Sequence, residues 1–571
     1  MKQKLVLLGS ICLVLVLAAM PFLTACPAPP EEVTPPPPEG EEELPPPPPP
    51  AEKSVVTIAW PESPPAGMNP FLARSEGDYM HLGLMYEPLC MPMMDGTVEP
   101  WIATDWEYKA DEEAWVFHLD ERAKWSDGQP LIAEDVKFTF ETAYQYDLPL
   151  GATTQAFVDS IEVLDDHTVK FNMATPFATF VPRAGATLIM PKHIWSEVGD
   201  VTTYANPNPV GSGPFLFEEY KLRRYFRVVK DEDYWRGPAH IDEVVIRIYT
   251  EAEAEFAAVA KGDVDINPIL SSVSAVPVLL KNPDVRVAVQ RWTHNFYLAI
   301  NHRMYPLNLK EVRQAMDVAI GRKRIADDAF QGYMEYPPTM GYVPPMVTKW
   351  LNPEVTWSWV DMTEEDRISK ANAMLDELGF KPGKDGIRRT EKGEKLHFRL
   401  RTMSTNPSYI RASEMVKQDL AKIGIEVEIL TSDPQTLYGG IIYSGKNFED
   451  WELMVHGTIM DPDPEHVARS WAPETPTPWD NATAFGYENE ELRSLLQKST
   501  KEMDFEKRHE MIMEAQELIA DDLPVIMLGH RMLIMVYRTD KYTNWNLARI
   551  CYVGMFYSSA SIVNLLSLRP K

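Results

Sequence analysis

The sequence predicts an α/β protein of two or three lobes, and three observations carry that expectation. The chain has 571 residues, too many to close around one hydrophobic core. Runs that alternate apolar and polar residues recur along it, the mark of half-buried strands. Phe215, Phe217, Phe226 and Val228 flank a turn at Lys221–Arg224, and Val244, Ile246 and Ile248 share one face later on. Third, Leu396–Arg401, Arg411–Ile423 and Ile425–Leu430 read as strand, helix and strand. The crossover is long enough for a parallel βαβ unit.

Taken in order, the chain opens with a targeting segment over residues 1–25. Lys2 and Lys4 precede the apolar run Leu5–Met20, which is short for a membrane span of about 20 residues. It ends in Leu23-Thr24-Ala25-Cys26, which resembles a bacterial lipobox. That resemblance implies cleavage before Cys26 and lipidation of its sulfur and amine; an ordinary secretory signal or an uncleaved anchor is the alternative. Residues 26–54 form a tether dominated by Pro27–Pro50, mostly proline and glutamate. Fixed φ angles and charge repulsion keep such a segment extended, at about 3.1 Å per residue, for a reach of roughly 75 Å.

The globular part begins with a strand at Val55–Trp60. A helix is expected over Asp78–Tyr86, a strand over Ala114–Leu119, and a helix over Ala133–Tyr144 with Val136, Phe140 and Tyr144 on one face. Strands follow at Thr168–Met173 and Ile241–Tyr249, then a helix at Glu251–Lys261 stopped by Gly262. Phe296–Asn301 reads as a strand and Leu309–Ala329 as one helix with an apolar stripe through Val312, Ala315, Met316, Ala319 and Ile320. Further helices are expected at Ile368–Phe380 and Leu492–Ala520, and two short strands around His530-Arg531 within Pro524–Tyr537.

A formal charge of −29 argues against a nucleic-acid or anionic-lipid binding face, both of which require a basic surface. Cysteine use is sparse: beyond Cys12 and Cys26 only Cys90 and Cys551 remain, either as a disulfide or as two buried thiols. Signatures of catalysis fail on inspection. His509-Glu510 opens like a zinc-protease helix, but Met513 stands where the second histidine belongs. Asp461-Pro-Asp-Pro-Glu465 offers calcium-type ligands without the EF-hand glycine or its twelfth-position glutamate. There is no G-x-S-x-G elbow and no Walker loop. No metal or cofactor is expected.

An ordered set of motifs carries more. Trp125-Ser-Asp-Gly-Gln-Pro130 continues to Ala133-Glu-Asp-Val136, Gly211-Ser-Gly-Pro-Phe215 follows, and Asp231-Glu-Asp-Tyr-Trp235 closes that part. Val312-Arg-Gln-Ala-Met-Asp-Val-Ala-Ile320 comes later. The series resembles the family 5 extracytoplasmic solute-binding proteins of peptide-type ABC transporters, over roughly Val55 to Pro524. The resemblance implies a two-lobed, periplasmic-binding-protein-like α/β fold of the type II, three-domain form, with a hinged ligand cleft. Lobe 1 would comprise residues 55–99, 206–294 and 523–571, with a small inserted domain at 100–205. Lobe 2 would be 295–522. Cys90 and Cys551 would then share a lobe, which favours the disulfide.

The function implied is capture of peptides by hinge closure and their delivery to a membrane permease and its ATPase. The protein would be a monomer outside the cytoplasm, held to the bacterial cell membrane through Cys26, with no nucleic-acid partner. Peptide-binding relatives hold the ligand ammonium with an aspartate in a segment similar to G-W-x-x-D-x-x-D-P. The run here is Val455-His456-Gly457-Thr458-Ile459-Met460-Asp461-Pro462-Asp463-Pro464. Aligned on Asp463-Pro464 it places Met460 at the anchor, and a one-residue slip places Asp461 there; His456 or Gly457 replaces the tryptophan. The run contributes His456, Gly457, Thr458 and Asp461 as expected ligand contacts, and the resemblance adds Trp60 at the end of the first strand, Glu76 in the loop after it and Tyr297 in the strand that opens lobe 2. An oligosaccharide is the alternative ligand, which the 15 tryptophans would suit. An envelope-tethered hydrolase and a ligand-reporting sensor are the alternatives of other classes.

Overall fold

A computed structural model describes residues 53–571, apart from 62–63, 65–66, 152–153, 270–272, 337–340, 357–358, 447, 475, 478–479, 548–550, 554–555 and 559–561. Residues 1–52, with the expected targeting segment, Cys26 and most of the tether, lie outside the described residues, as does the side chain of Cys551. Cys90 is buried.

Two long strands, Val285–Ile300 and Val525–Arg538, run antiparallel through the middle of the molecule. They form the centre of an eleven-stranded sheet among the described residues. On one side come Leu453–Ile459, His397–Met403 and Glu426–Ser432; on the other, Ile266–Asn267, Val55–Trp60, Glu243–Ile248 and the hairpin Tyr225–Lys230 with Phe215–Lys221, while the short strand Met334–Glu335 pairs with Val525–Arg538. A separate antiparallel sheet of four strands, Ala103–Lys109, Ala114–Leu119, Thr168–Met173 and Val158–Asp165, carries the helix Ala133–Gln145.

Burial divides along the long strands. Trp292, Leu533 and Met535 join a first core with Val56, Trp125, Phe140 and Phe171. Phe296–Ile300 and Val525–Leu528 join a second with the helices Lys310–Ala319 and Pro407–Ala421. A smaller third core gathers Val285, Ile534 and Val536 with Val259 and Leu279. The expected βαβ unit is present, His397–Met403 pairing parallel with Glu426–Ser432. Its helix starts earlier than the apolar pattern suggests. Pro407 occupies the first turn, and the Asn406 side chain accepts hydrogen bonds from the Ser408 and Tyr409 N–H groups.

Three expectations are corrected. Val525–Arg538 is one strand rather than two, since it pairs along nearly its whole length with a neighbour that is itself much longer than Phe296–Asn301. Leu309–Ala329 is broken after Ala319. Ile320 turns extended, and a π-helical turn follows at Ile325–Ala329. The break is held by Arg322, fully buried, whose guanidinium donates to the Asp317 carboxylate and to the Met527 carbonyl. Leu492–Ala520 is two helices, Glu490–Lys501 and Phe505–Asp522, the second capped by Asp504.

The motifs owe their spacing to packing. A Cβ on Gly211 would collide with the Met85 carbonyl oxygen, and Gly213 donates its N–H to that oxygen at 2.7 Å. The Ser126 N–H reaches the Gly211 carbonyl at 2.8 Å, tying the Trp-Ser-Asp-Gly motif to the glycine turn. The Asp135 carboxylate takes the Trp125 indole N–H at 3.2 Å, the Ile132 N–H at 3.0 Å and the Lys192 N–H at 2.7 Å. Glu87 does the same for the Tyr-Trp pair. It accepts from Tyr234 Oη at 2.5 Å, Trp235 Nε1 at 2.8 Å and Trp101 Nε1 at 2.9 Å.

Burial pushes the Glu87 carboxyl up to about 7, with the three donors and Arg236 opposing the shift. The folded chain therefore holds a proton there that the unfolded chain releases above its ordinary value of 4.5. Stability from this group is present at pH 4.5 and is lost as pH rises towards 7. Melting temperatures of the wild type and Glu87→Gln, compared at pH 5 and pH 8, should show the larger fall in the wild type. At pH 5 the variant should be the weaker by about 1–3 kcal/mol, because its amide turns an N–H towards one of the three donors.

Candidate ligand-binding cleft

Between the small sheet and the second core lies a half-open cleft of 640 Å³. The small-domain wall carries Phe157 and Phe177, stacked with centroids 3.9 Å apart and rings within 5° of parallel, and Arg183 from the helix Phe180–Gly185. Facing them are Thr458, at the end of Leu453–Ile459, and the helix Glu465–Trp471 with Glu465, His466 and Arg469. Tyr443 and Asn481 close the inner end. The Ala178 N–H bonds the Thr500 carbonyl across the divide at 2.9 Å.

Strand pairing sets the inner wall. Tyr297 stands opposite His456, Phe296 opposite Gly457 and Asn295 opposite Thr458. Side chains alternate across a strand, so Tyr297, His456, Asn295 and Thr458 share a face. His456 lies between two tyrosines, with Nε2 3.2 Å from the Tyr443 hydroxyl and Nδ1 3.3 Å from that of Tyr438. Burial pushes its pKa down to about 3, so the imidazole is neutral. The Tyr443 hydroxyl also donates to Asn481 Oδ1 at 3.4 Å, and Asn481 Nδ2 donates to Tyr342 at 2.9 Å. Gly457 is demanded by close approach: a Cβ there would collide with the His294 ring and the Tyr409 hydroxyl.

The acidic run 461–465 is saturated by arginines. Arg183 Nη2 donates to Asp461 Oδ2 at 2.5 Å and also to Glu465 Oε2. Arg469 Nη2 donates to Asp461 Oδ2 at 2.6 Å, and His466 Nδ1 stands 3.3 Å from the same oxygen. Asp463 is held by Arg508, Nη1 lying 3.0 Å from Oδ2. Burial alone would raise the carboxyl of Asp461, but Arg183 and Arg469 more than offset it and hold the group well below the usual carboxylate range. Among the described residues no group of three His, Cys, Asp or Glu side chains is placed to hold a metal ion.

A model of the bacterial extracellular solute-binding proteins, family 5, matches residues 97–480. The chain belongs to that family. Membership makes it an extracytoplasmic, non-enzymatic substrate-binding protein of the ABC-importer class. A dipeptide-binding protein of Escherichia coli (strain K12) is 24% identical over 517 residues, spanning 84% of this chain and 90% of that one. Among solved structures, the ABC transporter substrate-binding protein CtaP of Listeria monocytogenes superposes with a TM-score of 0.78 at 23% identity. That match covers 91% of this chain and 99% of that one. An oligopeptide-binding protein of Thermotoga maritima, solved with mannohexaose bound, has a TM-score of 0.71 at 24% identity, with 91% and 99% covered.

Against this family background the expected contact residues separate into groups. Thr458 lines the cleft. Tyr297, His456 and Gly457 stand behind it in the same strand pair, all three closed in by neighbouring rings. Asp461 adjoins the cleft, but its carboxylate is engaged by protein cations rather than left open for a ligand ammonium. Trp60 and Glu76 belong to the first-core side. Trp60 ends its strand almost fully buried, and Glu76 opens the helix Glu76–Leu82. Arg183, Arg469, Tyr443, Asn481 and the Phe157–Phe177 pair were not singled out from sequence. Glu465 and Arg469 had a readable signal, an i,i+4 pair at the start of a helix. Arg183 had none, standing 278 residues from Asp461.

Replacing Gly457 by alanine should force the His294 ring or Tyr409 to move. The expected cost is about 1–3 kcal/mol in urea unfolding, with a smaller loss for alanine at exposed Thr104.

Proposed function

We propose that the chain captures an extended peptide or peptide-like solute in the 640 Å³ cleft, by closure of the small domain on the second core, and delivers it to a membrane permease. The observation that carries this reading is the make-up of the cleft. Its two walls come from different cores, joined through the long paired strands, and its inner wall presents neutral polar groups, Thr458, Tyr443 and Asn481. Such groups suit the amides of an extended chain, and the likeness to a dipeptide-binding protein over most of both chains supports the same class. Movement of residues 295–522 as one lobe against the remainder belongs to this reading, as do a monomeric state and a lipid anchor at Cys26.

The stacked Phe157–Phe177 pair favours a second ligand class. An aromatic face suits the apolar side of a sugar ring, and the Thermotoga relative was solved with mannohexaose bound. Native mass spectrometry of the protein from residue 51 onwards, followed by denaturation, identifies what copurifies. Released peptides support the first ligand, and released sugars replace it with the second. Saturation with the right ligand at about 100 times its Kd should raise stability by about 2.7 kcal/mol without any turnover. Consumption of the ligand would remove the binding-protein reading. For the anchor, Cys26→Ala should move the full-length protein from the membrane fraction to the soluble one; unchanged membrane association would remove Cys26 from that role.

A further inference from the structure

Arg183 crosses from one core to the other. Its helix packs Phe180, Val181 and Ala184 into the first core, while Asp461 and Glu465 flank Met460, Val467 and Ala468 of the second. The guanidinium is 6% exposed, Asp461 10% and Glu465 12%. One nitrogen donates to both carboxylates, and Arg469 supplies the second positive charge from the acids' own side. Two carboxylates and two guanidiniums balance, with His466 between them. A pair of buried carboxylates sharing one arginine would lack a cation, and that cation comes from the opposite wall.

A ligand ammonium is the obvious alternative cation at this point, since it would bring a compact positive charge to the same two oxygens. It would have to displace a group tethered to the fold. Arg183 meets the pair at a high effective concentration, with one guanidinium nitrogen already shared by both acids. A ligand amine therefore gains little here.

We propose that Arg183 is the resident cation of the Asp461–Glu465 pair, which holds this end of the cleft shut without ligand and makes binding indifferent to a ligand's terminal amine. The first half stands on the geometry alone. The second rests on the peptide reading above and narrows its ligand class to chains recognised through neutral groups, blocked or free at the amino end.

Two measurements on Arg183→Met, with Arg183→Lys as the charge-preserving control, test the two halves separately. Spin labels at exposed positions on the small sheet and on the helix Phe505–Asp522, through Asp159→Cys and Lys507→Cys, report the separation of the two sides in the ligand-free protein. The separation should lengthen and broaden in Arg183→Met and return in Arg183→Lys; equal distributions in wild type and Arg183→Met overturn the resident-cation role. Calorimetry with one copurified peptide in free-amine and N-acetylated forms reads the second half. The wild type should bind the two within about threefold, and Arg183→Met should favour the free amine by about tenfold. A wild type that already prefers the free amine tenfold, or a variant with an unchanged ratio, overturns it. If neither form binds, the peptide reading and this second half fall together, and the label distances still decide the first.

Discussion

Everything in this molecule is arranged around the antiparallel ladder of Val285–Ile300 and Val525–Arg538. A ladder that passes through two cores must change surroundings part-way, and it does so at register shifts between Gln290 and His294 and between Phe296 and Tyr297. An extra residue in one strand bends the pair and re-aims its side chains. Before the first shift the strands feed the first and third cores; after the second they feed the second core. The cleft lies beside this transition, and its inner wall is the strand that pairs with Val285–Ile300 immediately after the bend. Two bodies joined by a continuous pair of strands keep their relative register while their angle changes, the mechanical requirement for closing on a solute.

The legible part of the sequence was its local chemistry. Gly211 and Gly213 are glycines because the Met85 carbonyl lies against them, Asp135 follows Trp125 by ten residues because it accepts the indole proton, and Tyr234-Trp235 converge on Glu87. Such contacts are close-packed constraints, which is how short motifs came to mark a fold. Strand alternation and the βαβ spacing were readable for the same reason. The failures lie where tertiary pairing overrules a local pattern. His530-Arg531 look like a turn between strands, yet each faces a partner across the ladder, Asn295 and His294. The apolar stripe through Val312 and Ile320 continues past Ala319, but a buried Arg322–Asp317 pair ends the regular helix there.

The site was half legible. The run Val455–Pro464 was marked by its resemblance to a family segment, and strand pairing puts Thr458 and His456 of that run on one face with Tyr297 of the opposite strand. What spacing could not reveal is which charges are already spent. Asp461, Asp463 and Glu465 look like a ligand set for a cation when read along the chain. In three dimensions Arg183, Arg469 and Arg508 have taken them, two of these from distant segments.

That saturation bears on the proposed recognition by the cleft. A carboxylate held by two guanidiniums in a buried setting is a fixed structural charge, and opening it to a ligand would first have to separate Asp461 from both Arg183 and Arg469. The loop it belongs to is therefore a rigid wall, further pinned by the Asp463 side chain accepting the Glu465 N–H. On the proposed reading, discrimination falls to groups that gain or lose hydrogen bonds without moving charge: Thr458, Tyr443 and Asn481, backed by a neutral His456. Neutral donors and acceptors at fixed spacing reward a ligand whose polar groups repeat along its length, because each missed bond leaves a desolvated group unpaired. The pairs of Arg183 with Asp461 and Glu465 are buried within the fold, and screening acts weakly on pairs removed from solvent.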